Sequence, residues 1–203
     1  QSALDYAASE GATGKNCHVI IPGRAKITSS LIVTAHNGFR LSGVGGPAAS
    51  SITQTSNSAN GITIQMPSGD GTGYCEHLVI ENLEINGPGA ATSNGTGIYT
   101  HDDRHNDDHY NGGGLLLSNL KIGNNNKGFH TGLYLKRWDA TRVIDCRIVY
   151  HYRNVYCDTF TNTVTFAGGG NAQAESILWD FGKASKVTVI NMDNGNSPQF
   201  ARV

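Results

Sequence analysis

The chain has 203 residues, 15 Lys and Arg against 16 Asp and Glu, and a net charge of −1. This is enough chain for one domain with a continuous core, and without a basic stretch nucleic acid is excluded as the default partner. No apolar run reaches the ~18 residues of a membrane span, and 38% hydrophobic residues spread along the chain exclude a disordered low-complexity segment.

The first predicted element is a helix. Ala3, Leu4, Ala7 and Ala8 are helically spaced in SALDYAASEGATG, with Gly11 and Gly14 as stops. A short amphipathic helix in the region 1–14 would cover an open sheet edge. Cys17-His18-Val19-Ile20-Ile21-Pro22-Gly23 then reads as a strand ending in a Pro-Gly turn. Phe39-x-Leu41-x-Gly43-Val44 is the first, weak copy of a pattern that returns along the chain.

Stronger copies follow at Leu78-x-Ile80-x-Asn82-Leu83-x-Ile85, Leu115-x-Leu117-x-Asn119-Leu120-x-Ile122 and Thr141-x-Val143-x-Asp145-Cys146-x-Ile148. Val164-x-Phe166-x-Gly168 and Val187-x-Val189-x-Asn191-Met192 continue the series. Apolar residues two apart mark a strand with one buried face. At Asn82, Asn119, Asp145, Gly168 and Asn191 the phase slips by one residue. A bend in left-handed backbone, which Asn, Asp and Gly tolerate best, keeps both flanking strands facing one core. The bends are 37, 26, 23 and 23 residues apart, so coils of one size carry loops of different length. A second column aligns Gly97-Ile98-Tyr99-Thr100, Gly132-Leu133-Tyr134-Leu135, Asn154-Val155-Tyr156-Cys157 and Ile177-Leu178-Trp179-Asp180.

Strand, bend, strand, loop, strand, repeated, describes a parallel β-solenoid. The competing fold is a β-sandwich, whose hairpins the Asn-Gly pairs could supply. These pairs fall at coil corners or in long loops, which favours the solenoid. The expected fold is therefore all-β: a right-handed, single-stranded parallel β-helix, the hand following the general rule for parallel crossovers. It is one domain over 1–203, with a capping helix in 1–14, coils over 17–194 and an exit segment at 195–203. Cys17, Cys75, Cys146 and Cys157 show no zinc spacing and read as free core thiols. A Cys146–Cys157 disulfide stays open as the alternative.

ALDYAASEGATGKNCHVIIPGRAKITSSLIV, followed by FRLSGVGG and HLVIENLEING, resembles the opening of the pectate-lyase-3-like right-handed β-helix family, which includes the body domains of bacteriophage tailspikes. The likeness extends from residue 3 to about 193. The aromatic usually found after the Pro-Gly turn is replaced around Ala25 and Lys26, and the family's upstream segment is missing. The expectation is a piece of a longer protein. The resemblance implies a homotrimer on a virion tail that recognises and depolymerises a bacterial surface polysaccharide: capsule, lipopolysaccharide or a pectin-like polymer. Two alternatives remain: a non-catalytic structural β-helix of a virion fibre or adhesin, and a secreted pectate-lyase-like enzyme.

Within this frame Ile98, Leu133 and Val155 should face inward and Tyr99, Tyr134 and Tyr156 outward, stacked at the coil spacing. Their faces could pack on sugar rings or simply on each other. Trp179, whose phase is ambiguous, and Trp138 are further candidate sugar platforms, and His101 and His130 further binding residues. His101, Lys136 and Asp158 follow on the same face, and "HDDRHNDDH" (101–109) opens a long insertion there. The leading reading of that insertion is a solvated loop. Calcium on Asp102, Asp103, Asp107 and Asp108 is the cofactor its chemistry would allow, though no cofactor is required. Zinc on His101, His105 and His109 would need a helix that these residues form poorly.

Glycoside hydrolysis requires two carboxyls, either about 5–5.5 Å or about 6.5–9.5 Å apart. The candidates are Asp102, Asp103, Asp107, Asp108, Asp139, Asp158, Glu175 and Asp180, with Asp158 preferred because it follows the Tyr156 strand, and Asp102 or Asp103 as its partner where the loop folds back. A lyase would need a base and a cation near a uronate, for which Lys136, Arg137 and His130 are available.

Overall fold

The computed structural model describes residues 1–65, 75–100, 112–158, 161–182, 184 and 186–202. The described residues wind into seven coils, and every strand pairing among them is parallel. The first face carries His18–Ile21, Arg40–Gly43, Thr141–Ile144, Thr163–Ala167 and Lys186–Ile190. The second carries Arg24–Ile27, Ser51–Gln54, Arg147–Val149, Gly170–Ala172 and Asp193–Asn194. Two long strands, Val79–Asn86 and Leu116–Ile122, run through the bend and serve both faces. The third face stacks Leu31–Thr34, Ile62–Gln65, Thr96–Tyr99, Thr131–Leu135, Arg153–Cys157, Ile177–Asp180 and Gln199–Arg202. A short fourth sheet of Cys75–Glu76, Gly112–Gly113 and Trp138–Asp139 bridges the third face back to the first. This is the expected parallel β-helix.

The bends are where the phase breaks place them. Asn82, Asn119, Asp145, Gly168 and Asn191 have φ of 56°, 47°, 52°, 67° and 50°. Each turns the strand by one residue in left-handed backbone, so apolar side chains on both sides reach the same core. The weak early copy differs. Its bend lies at Gly45 and Gly46, with φ of 76° and 82°, and Gly43 stays in the strand. A side chain at Gly43 would run into the carbonyl of Asn82 on the next coil, which explains the glycine.

The core consists of inward rows that run along the solenoid. Leu41, Ile80, Leu117, Val143 and Phe166 are in register on the first face and buried. Ile62, Ile98, Leu133 and Val155 form the matching row on the third face. Each such side chain contributes about 1.5–3 kcal/mol on burial. At the first coil the helix Ser2–Gly11 buries Leu4 and Ala7 against Leu31–Thr34 and His18–Ile21. The Gln1 side chain accepts a hydrogen bond from Ile32 N at 3.1 Å, satisfying one donor of that edge strand. All four cysteines are free thiols, including Cys146 and Cys157, and burial raises the pKa of Cys75, Cys146 and Cys157.

Candidate functional site

The third face builds the tyrosine column. Parallel register sets Tyr99 against Tyr134 and Tyr134 against Tyr156, while Ile98, Leu133 and Val155 alternate inward. The Tyr99 and Tyr134 rings meet edge to face with centroids 5.0 Å apart, and the Tyr134 and Tyr156 rings are tilted at 4.8 Å. These separations are the coil spacing itself, so the fold imposes the stack. All three rings are half-buried: each rests on its neighbour and shows the remainder to solvent.

Asp158 follows two residues after Tyr156, and its carboxylate accepts a hydrogen bond from the Tyr134 hydroxyl at 2.6 Å. Burial and this bond raise the Tyr134 pKa, so the phenol stays a donor. Asp158 N bonds Leu135 O at 2.8 Å, which puts Asp158 beside Lys136 on the neighbouring coil. Lys136 is half-buried, and its backbone N–H donates to Thr100 Oγ1 at 2.9 Å. Column, carboxylate and lysine thus share one edge of the third face.

The far end of the column is a charged cluster, of which the sequence reading named Asp180 but neither of its arginines. Arg153 lies over the Tyr156 ring, its guanidinium carbon 4.0 Å from the centroid. It also donates from Nη1 to Asp180 Oδ2 at 2.9 Å. Arg202, one coil further on, donates to both oxygens of the same carboxylate. Burial alone would push the Asp180 carboxyl up, but the bonds and charges of Arg202 and Arg153 hold it below the usual carboxylate range. Beside this cluster His130 stacks on Tyr152 with centroids 4.9 Å apart, and burial together with the Arg153 charge lowers its pKa.

Several candidates are relocated. Trp179 is not the next outward ring: it pairs with Val155 and is 2% exposed, and Asp180 takes the place after Tyr156. The alignment slips by one residue because all four residues of Ile177–Asp180 are buried, which leaves no alternation to read. Trp179 packs on Phe166 and Phe181 and donates from Nε1 to Asn194 Oδ1, so it presents no platform. Trp138 is 1% exposed, with its ring against the bare backbone of Gly112, and presents none either. Arg137 is not available as a lyase residue. It occupies a left-handed corner at φ 63° and is 1% exposed, which removes it from contact with a polymer.

The carboxylates are dispersed. Glu175 is exposed at the opposite end of the third-face strands, five residues before Asp180, whereas Asp158 lies two past Tyr156. At about 3.3 Å per residue the two are roughly 20 Å apart, too far for a catalytic pair. Asp139 caps a turn by accepting from Ala140 N at 2.7 Å and Thr163 N at 3.3 Å. Asp180 is taken up by its arginines. Among the described residues Asp158 is the carboxylate that the fold places against the tyrosine column, bonded to its central hydroxyl. His101, Asp102, Asp103, Asp107 and Asp108, and with them the calcium and zinc expectations, lie outside the described residues. No cluster of His, Cys, Asp and Glu suited to a metal occurs among the described ones. Comparison of the chain with family models, curated proteins and solved structures found no match.

Proposed function

We propose that this solenoid recognises and depolymerises a bacterial surface polysaccharide, as the body of a tailspike-like homotrimer carried on a virion tail. The single observation behind this reading is the half-exposed column of Tyr99, Tyr134 and Tyr156, with Asp158 bonded to its central hydroxyl. Aromatic rims at a repeat of about 5 Å offer C–H stacking to successive sugar faces without requiring one sugar identity. Asp158 is the proton-transfer carboxylate in this reading. The Tyr134 hydroxyl fixes its rotamer, and Lys136 lies beside it on the adjacent coil.

The test is a panel of capsules and pectins with the purified chain, in which binding, new reducing ends and unsaturated-uronate absorbance are followed together, with and without chelator. Reducing ends without absorbance identify a hydrolase. Absorbance that a chelator abolishes identifies a calcium-dependent lyase and moves the chemistry to Lys136. Tyr99→Ala should weaken binding about tenfold, as loss of one ring contact implies, and Asp158→Asn should stop cleavage while leaving binding intact. Silence in binding and in both chemical channels would overturn the proposal in favour of a structural fibre.

A further inference from the structure

Asn-Gly pairs are the dipeptides most prone to spontaneous deamidation. The glycine nitrogen attacks the asparagine side-chain carbonyl, ammonia leaves, and water opens the resulting succinimide to aspartate or isoaspartate. Two conditions control the rate: the glycine N–H must be free to give up its proton, and the amide must be free to swing onto it. Hydrogen bonding of either group holds the reaction back.

Five Asn-Gly pairs are described in full, and four of them are locked. Asn37 Oδ1 accepts from Glu76 N, and Gly38 N donates to Glu76 O. Asn60 bonds through both side-chain atoms, to Thr96 N and Thr63 Oγ1, while Gly61 N donates to Thr96 O at 2.9 Å. Asn86 is buried, and Gly87 N donates to Lys127 O at 2.8 Å. Asn194 accepts from Trp179 Nε1 and donates to Met192 O, and Gly195 N donates to Asn171 O at 3.0 Å. In each case the attacking nitrogen is tied to a main-chain carbonyl of another part of the wall.

Asn94-Gly95 differs in the freedom of its amide and in the acceptor of its glycine N–H. The Asn94 side chain is exposed, and no hydrogen bond holds it among the described residues. Gly95 N donates only to a side-chain hydroxyl, Ser93 Oγ, at 3.0 Å. The glycine cannot be exchanged for a slower neighbour, because a side chain there would run into the carbonyl of Ala59. We propose that Asn94 is a deamidation site of the folded protein: among the described Asn-Gly pairs it is the one whose glycine N–H is not tied to a main-chain carbonyl.

The modification has a structural consequence. Gly95 leads directly into Thr96–Tyr99, the strand that presents the first ring of the tyrosine column. Aspartate adds a negative charge at this corner, and isoaspartate lengthens the backbone by one carbon where the strand must enter register with Thr131–Leu135.

Peptide mapping by mass spectrometry after incubation in mildly alkaline buffer, folded and in urea, tests this. Folded chain should convert at Asn94 and keep Asn37, Asn60, Asn86 and Asn194 as amides, and unfolded chain should convert at all five. Ser93→Ala should speed conversion at Asn94 about fivefold, the factor that one hydrogen bond of typical net strength represents. Conversion of any other of the five at the Asn94 rate in folded chain would overturn the inference. So would an Asn94 that stays an amide while its unfolded counterpart converts, or a Ser93→Ala variant in which all five accelerate together.

Discussion

His151 is fully enclosed, and its neighbours fix its protonation. Phe129 N–H donates to Nδ1 at 2.9 Å, so Nε2 carries the proton and donates it to Ile122 O at 3.0 Å. A second proton would have to displace the Phe129 bond at a side chain shut off from solvent. Burial accordingly lowers the pKa from 6.5 to about 4. Between those two values the unfolded chain binds a proton that the folded chain refuses, so stability rises with pH across the window. The urea midpoint should therefore fall as pH drops from 6.5 to 4, by the equivalent of about 3 kcal/mol from His151. A midpoint that stays constant over that interval, after subtraction of a His151→Gln control, would contradict this account.

Among the elements the bend is the most demanding. Asn119 has a φ of 47°, and its Nδ2 donates to Asn82 Oδ1 at 2.8 Å on the coil before. Left-handed backbone costs a β-branched residue about 1–2 kcal/mol, and glycine none. Asn119→Val should therefore lower stability by about 2 kcal/mol, and Asn119→Gly by clearly less, in paired chemical denaturation curves. Equal losses would mean that the side-chain ladder, and not the backbone, holds the bend. The same logic explains which strands were legible. Alternation is plain in Leu116–Ile122, where one side faces water, and vanishes in Ile177–Asp180, where Arg202 and Arg153 cover the outer side as well.

For the whole molecule, coils touch only their neighbours, so stability propagates along one dimension. The helix Ser2–Gly11 closes one end over Leu4 and Ala7. At the last described coil Val189 and Phe200 are 42% and 58% exposed. Leu4→Asp should loosen the first coil and leave the middle intact. Amide exchange in 18–34 should quicken about thirtyfold, the equivalent of about 2 kcal/mol of lost burial, while 131–157 keeps its protection. Uniform loss of protection along the chain would show a molecule that unfolds as one unit.

The sequence by itself determined the solenoid, the five bends, the capping helix and the inward and outward assignment of the tyrosine strands. These follow from local rules: period-two alternation, and the few residue types that accept left-handed backbone. What sits beside what was decided only by the tertiary structure. Parallel register brought Tyr134 onto Asp158, set Arg153 over Tyr156 and placed Arg202 on Asp180 from 22 residues away. It buried Trp138, Trp179 and Arg137, and left the Gly95 N–H without the main-chain bond that the glycines of the four other pairs make. Such pairings join residues on different coils, and unequal loops set the distances between coils, so no spacing within a single stretch of chain encodes them.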